Sequence, residues 1–303
     1  MNVWRINCKP EAQILKQNNQ FEFWIKKGIA GIGWSSAEGF TEEYFDDKNN
    51  VLKLQEFIKR KYQVQQLSTK SFSTATNIFV TRMQKGDYIW VRCGNIYKLG
   101  KIKSEGLYNF DSEKFEPDRQ IGFYREIDYL EKDFVESEVP GKIVASYRSQ
   151  STVQGLADEK EMLASYCNGC WTGNIKKIKI EEWTDFFHSS DIEEIVGLYL
   201  QIKRKLYIYT STNKNDTAAI EFEMINNEGK LYGLQVKSGN TPIDISDYEQ
   251  LSENMSVILF ATSENYKNLE KVKNVEIISK EEITNFLIEY KHLLPKRIKL
   301  WLE

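Results

Sequence analysis

Three side chains in the last third of the chain have the types and spacing that phosphodiester hydrolysis requires. Glu221 lies in the run AIEFEMI, and Gln235 and Lys237 lie two apart in LYGLQVKSG. Residues two apart in a strand project to one face. The intervening NNEGK reads as a turn, so the two runs form a hairpin. An acid on one strand then stands beside a Gln-x-Lys pair on its neighbour. A carboxylate, an amide oxygen and a scissile phosphate can share Mg²⁺, a hard ion that prefers oxygen ligands, with Mn²⁺ as its substitute. Such an ion lowers the pKa of a bound water and stabilises the leaving oxygen. Glu221 and Gln235 are the candidate metal ligands. Lys237 is the candidate catalytic cation, orienting the attacking water or neutralising charge on the phosphorane. Glu223 shares the strand face of Glu221 and competes for its role.

The elements that must hold these residues are legible from Ser190 onward. Ser190 followed by Glu193 has capping-box spacing. Ile192, Ile195, Val196 and Tyr199 then repeat at i, i+3, i+4 and i+7, an amphipathic helix. Strands are expected at KLYIYTS, AIEFEMI, LYGLQVKSG, SVILFATS and VEIIS, and helices at ISDYEQLSEN and EEITNFLIEYKHLL. Helix, three-strand meander, helix, strand, strand, helix is the order of an α/β domain with a mixed sheet flanked by helices.

The run AIEFEMINNEGKLYGLQVKSG resembles the core of the PD-(D/E)xK nuclease superfamily, and more narrowly its Mrr-like restriction endonucleases. That group often carries Gln where other members have an acid, as in QVK here. The resemblance implies a restriction-endonuclease-like fold and a catalytic set of Glu193, Glu221, Gln235 and Lys237. The helical acid falls on Glu193, with Glu194 as the fallback. Two departures stand out: the strand acid is Glu rather than Asp, and Gln235 removes one negative charge from the metal site.

The first part of the chain is rich in short β-type runs and aromatics: WRIN, FEFWI, GIAGIGWS, DYIWVRCG and IYKLGKIKSEG, with a helical stretch at VLKLQEFIKRKY. Lys85-Gly86-Asp87 is a turn signal before DYIWVR. These runs read as a small mixed barrel. They are similar to the PUA-like fold in its EVE and YTH branch, whose aromatic cage takes in a flipped, modified base. Trp34 and Ser35 match the Trp-Ser pair at that cage, and Arg125 matches an arginine of a late strand. Trp90, Tyr97 and Trp24 are further wall candidates. Aromatic walls must offset the few kcal/mol that base extrusion costs.

Composition narrows the classes. The 303 residues suggest about two domains, with 41% hydrophobic and 28% charged residues as in a globular protein. No run is apolar enough for a membrane helix or a signal peptide, which points to the cytoplasm. Net charge is −3, so any nucleic-acid contact must be local, through clusters such as Lys59–Lys61, Lys176–Lys179, Lys203–Lys205 or Lys296–Lys299. Cys167 and Cys170 have zinc spacing but no second half-site. Neither histidine sits in a nucleophile motif, and no phosphate-cradling GxxxxGK[ST] is present. The expected organisation is a reader domain over 1–142, a helical connector over 143–189 that packs on one or both domains, and a nuclease domain over 190–303. The expected activity is Mg²⁺-dependent cleavage of modified duplex DNA, in restriction or anti-phage defence. A homodimer would supply two active sites. The alternatives are a non-catalytic reader with a decayed nuclease fold, and a nuclease acting on RNA or triggered by a small nucleotide.

Overall fold

The structure is a computed structural model that describes residues 1–8, 17–33, 74–109, 115, 121–149, 151–156, 162–210, 220–240, 242–270 and 272–303. The expected helix VLKLQEFIKRKY, the Lys59–Lys61 cluster and the Trp34-Ser35 pair lie outside these residues. The chain is a mixed α+β protein in two compact units, Met1–Ile175 and Lys176–Glu303.

The first unit is built on eight strands: β1 (Val3–Asn7), β2 (Ile29–Ile32), β3 (Tyr88–Cys93), β4 (Ile96–Ile102), β5 (Leu107–Tyr108), β6 (Phe123–Tyr129), β7 (Phe134–Val135) and β8 (Val153–Gly155). They run in the order β2-β6-β4-β3-β1-β8, with β5 on β6 and β7 on β4, as a curled half-barrel. The expected turn before β3 is present. Asp87 N donates to Gln84 O, Gly86 takes φ 95°, and the Asp87 carboxylate accepts from Trp4 Nε1 at 2.8 Å. Helices α1 (Gln17–Lys27), α2 (Gly141–Ser146) and α3 (Met162–Thr172) belong to this unit. So the stretch read as a connector divides: β8 pairs antiparallel with β1 and α3 packs beside Trp90, whereas residues 176–189 belong to the second unit.

The second unit contains α4 (Ser189–Lys203), β9 (Tyr207–Ile208), β10 (Phe222–Ile225), β11 (Leu231–Lys237), β12 (Ile243–Asp244), β13 (Ser256–Ala261), β14 (Tyr266–Lys267), β15 (Val275–Ile277) and α5 (Lys280–Tyr290). The five-stranded sheet has the order β15-β13-β11-β10-β9. β9, β10 and β11 form the antiparallel meander, and β11, β13 and β15 run parallel. This is the expected element order, with a further β12–β14 pair, and with ISDYEQLSEN split into a 3₁₀ turn (Ile245–Tyr248) and a short helix (Glu249–Ser252). Helix α5 opens on a true capping box, Ser279 with Glu282.

The two sheet faces have different cover. A Cβ on Gly197 of α4 would lie 3.6 Å from Ile208 and Phe222, so α4 lies on the face those residues share. The opposite face buries Val257, Leu259 and Ala261 against Ile245 and Tyr248. Cross-strand partners share a face. The register therefore places Gln235, opposite Leu259, and Lys237, opposite Ala261, on that second face.

Candidate active site

The hairpin register decides the core of the site. Phe222 pairs with Leu234, so Glu221, one residue before β10, stands opposite Gln235. Its backbone N–H still donates to Leu234 O, which extends the ladder to the acid. Gln235 is 2% exposed, and its Nε2 donates at 2.9 Å both to Glu221 Oε1 and to Val236 O. Lys237 is exposed at the end of β11, where its carbonyl accepts from Thr262 N at 2.9 Å. Glu223 faces Gly233, one step further from Gln235.

Glu193 lies on α4, which covers the other face of the sheet, and reaches this cluster only through the influence of charge. The expected capping box with Ser190 is not formed. The helix begins at Ser189 with His188 at the N-cap position and no side-chain cap, so Ser190 already lies inside the first turn. The Glu193 carboxyl is instead held up at about 7, first by burial, then by the charges of Glu221 and Asp191, with Lys237 opposing them. The helical acid, the strand acid and the lysine thus act on one another electrostatically. Burial likewise raises the Tyr248 hydroxyl to about 12, with Asp247 and Glu221 contributing.

Arg297 distinguishes Glu193 from Glu194. Its Nη2 pairs with Glu194 Oε2, and its Nε lies 3.5 Å from Asp191 Oδ1. Asp191 is buried, and burial raises its carboxyl while Arg297 opposes the rise. The fallback acid is therefore engaged in an ion pair. Removing one partner of a buried pair leaves an uncompensated charge, which costs about 3–5 kcal/mol. With Arg297 itself partly exposed, Arg297→Ala is expected to destabilise the second unit by about 3 kcal/mol in urea unfolding. A change under about 1 kcal/mol would show that the clamp is unimportant.

A second consequence concerns pH. The folded Glu193 carboxyl keeps its proton up to about 7, whereas its ordinary value is 4.5. Between those values the folded state binds more protons than the unfolded one, so stability falls as pH rises. The raised Asp191 adds to the same trend. Thermal melts in EDTA from mildly acidic to neutral pH should decline, and Glu193→Gln should flatten much of that slope. An unchanged slope in the variant would count against the assignment.

The base-pocket candidates fare differently. Trp34 and Ser35 lie outside the described residues, which stop at Gly33 just after β2. Trp90 is not a cage wall: it is fully buried, edge-on to Phe134 at 5.2 Å, with Nε1 donating to Cys167 Sγ. Tyr97 is also a core residue, packed against Tyr147, with its hydroxyl donating to Glu136 Oε2 at 3.0 Å. Helix α3 and the 134–147 region cover the sheet face that carries both. Trp24 sits in the core cluster of the half-barrel. Arg125 is buried with its guanidinium donating to the carbonyls of Phe79, Val80, Met83 and Ser104, so it closes the C-terminal end of the helical turn Asn77–Arg82.

Among the described residues, no group of three His, Cys, Asp or Glu side chains lies close enough to hold a metal ion. Cys167 and Cys170 lie on α3, where Cys167 accepts from Trp90 Nε1. The oxygen donors of the site are Glu221, Glu193 and the Gln235 amide. Glu221 and Gln235 are the adjacent pair, and a carboxylate beside an amide oxygen would suit one hard divalent cation. Of the basic clusters, Lys203 pairs with Glu289 and Arg204 with Glu276 and Glu282, while Lys176, Lys177 and Lys179 are exposed. Asp191, Arg297 and Tyr248 were not expected from the sequence. No local motif marks them; only the helix start around Asp191 gives a weak signal. No helix among the described residues is long and apolar enough to cross a membrane.

The model of one protein family, a domain of unknown function (DUF8426), matches residues 4–157. No curated protein and no solved structure matches the chain.

Proposed function

We propose that this chain, which belongs to the DUF8426 family, is a metal-dependent DNA endonuclease whose first unit selects modified DNA and whose second unit cuts it. The observation that carries the reading is the Glu221–Gln235 hydrogen bond across the hairpin, with Lys237 two residues on and Glu193 coupled to both charges. This set resembles that of an Mrr-like PD-(D/E)xK site, and the mixed sheet of the unit is compatible with that resemblance.

The chain's own groups divide the work. Glu221 and the Gln235 oxygen would hold the cation, since the Gln235 nitrogen already donates to Glu221 and Val236. Bound there, Mg²⁺ or Mn²⁺ would supply Lewis-acid polarisation of the phosphate and a water of lowered pKa. Lys237, on an exposed strand end, neutralises charge that develops on the phosphate oxygens. Glu193, whose carboxyl burial holds up at about 7, would serve as the proton acceptor. The first unit reads as a PUA-like reader: its curled sheet ends β2 at Ile32, directly before Gly33 and the Trp34-Ser35 pair. Cleavage of both strands then calls for a homodimer, and the pairing of reader and nuclease suits restriction or anti-phage defence.

A second reading is a modified-base reader with a decayed nuclease fold, and it draws support from the lack, among the described residues, of three side chains placed to hold a metal ion. One experiment separates the two. Matched unmodified, cytosine-modified and adenine-modified duplexes, and an RNA of the same sequence, are incubated with the chain and Mg²⁺. Cutting confined to modified DNA, and lost in both Lys237→Ala and Trp34→Ala, supports the proposal. Binding without cutting on every substrate supports the decayed form, and cutting of RNA alone redirects the substrate.

A further inference from the structure

The sheet face that carries Glu221 continues onto two solvent-facing tyrosines. Tyr207 is 50% and Tyr209 38% exposed, whereas Ile208 between them turns back to α4. Tyr207 pairs with Ile225, and Tyr209 N donates to Glu223 O, so the two rings stand on the face of Glu223 and Glu221. They are spaced by about 6.7 Å along the strand. Tyr209 is the diagonal neighbour of Glu221, roughly 7–8 Å away by sheet geometry. β9 is the edge of the five-stranded sheet. Exposed cations flank the row, Lys205 before Tyr207 and Lys237 beyond Glu221.

We propose that Tyr207 and Tyr209 form a stacking platform for unpaired bases of a DNA strand whose backbone continues to Glu221, a subsite that rests on the nuclease reading above. Every base presents a π-face, so stacking on an aromatic ring tolerates sequence. Bases within a duplex already cover one another and cannot offer their faces to β9, so the platform selects unpaired DNA. Lys205 and Lys237, exposed at either end of the row, suit the phosphates of a polyanionic strand, and a second copy on β9 is an outcome of the test.

The test uses the full chain in EDTA, so that binding is read without cleavage. The probes are a fluorescein-labelled single-stranded thymidine oligonucleotide, a hairpin duplex of equal length, and the same single strand carrying 5-iododeoxyuridine for photocrosslinking. Tyr207→Ala and Tyr209→Ala should each weaken the single strand about tenfold. Tyr207→Phe and Tyr209→Phe should retain binding, which also shows that the strand edge still folds. The hairpin should be unaffected, and the crosslink should map to residues 207–209. Alanine variants that bind the single strand like the parent overturn the platform, as do crosslinks confined to residues 1–175. So does a dimer that the alanine variants turn into a monomer with single-strand binding intact, which assigns the face to a second copy. If the tyrosines crosslink but Mg²⁺ never elicits cutting, the nuclease reading fails and the platform stands. If Lys237-dependent cutting occurs without the tyrosines, only the platform fails.

Discussion

Lys237→Ala should lower Mg²⁺-dependent cleavage by about 10²–10³-fold, the usual effect of removing one group that stabilises transition-state charge. The side chain is exposed at the end of β11, and the bond from Thr262 N runs to its backbone carbonyl. Truncation therefore leaves the ladder intact, and the melting temperature in EDTA should stay unchanged at mildly acidic pH, where the folded Glu193 keeps its proton with or without the lysine. Lys237 is also the charge that opposes the rise of the Glu193 carboxyl. Its removal should push that carboxyl higher still, so the acid limb of the residual pH–rate profile should move to higher pH. Lys237→Arg keeps the charge and should keep the acid limb in place. It should restore rate only in part, because a planar fork replaces a compact ammonium. A residual rate in Lys237→Ala within about threefold of the parent would remove the lysine from the mechanism.

The second large effect lies in the first unit and concerns stability. Arg125→Met should cost about 3–5 kcal/mol, because it strips the donors from buried carbonyls and leaves them unpaired. Phe79, Val80, Met83 and Ser104 all lose a partner, and the guanidinium also lies 5.8 Å from the Phe79 ring. Burial already presses the Arg125 pKa down to about 10, with Glu105 and Asp87 opposing that fall. Arg125→Lys should fail nearly as badly, since one ammonium cannot span these carbonyls as a fork does. Hydrogen exchange should localise the damage to residues 79–83 and 123–129. A loss under about 1 kcal/mol in urea would mean that the carbonyls find other donors.

Together these two experiments separate the halves of the chain. Lys237 tests chemistry in the second unit with the backbone ladder left intact. Arg125 tests scaffold in the first unit, at a position that the family resemblance had matched to an arginine of a late strand. The residues matched by the DUF8426 model fall within that first unit.

The second unit was the more legible from sequence alone. Its helix, meander and later strands follow from apolar periodicity, which is a local property of neighbouring residues. The position of Glu221 against Gln235 follows from hairpin length, because a short turn fixes which residues oppose each other. The same locality let the turn at Lys85-Gly86-Asp87 be placed, where Gly86 must take positive φ. The capping spacing at Ser190 misled for a related reason. The helix starts one residue earlier, at Ser189, and the acid at position 193 is drawn to strand acids that are remote in sequence.

What the tertiary structure alone decided was which side of each element is covered and which charges meet. Trp90 and Tyr97 could each have been a cage wall or a core residue by sequence, and α3 and the 134–147 region cover the face that carries them. Arg125 became a helix-closing group because the chain returns it beside Met83. Arg297 engaged Glu194 and left Glu193 to the site because the C-terminal segment folds back onto α4. Periodicity tells a residue's orientation relative to its own neighbours. It carries no record of what packs on the other side, because that contact is paid for by chain closure over long separations and is fixed only when the whole unit folds.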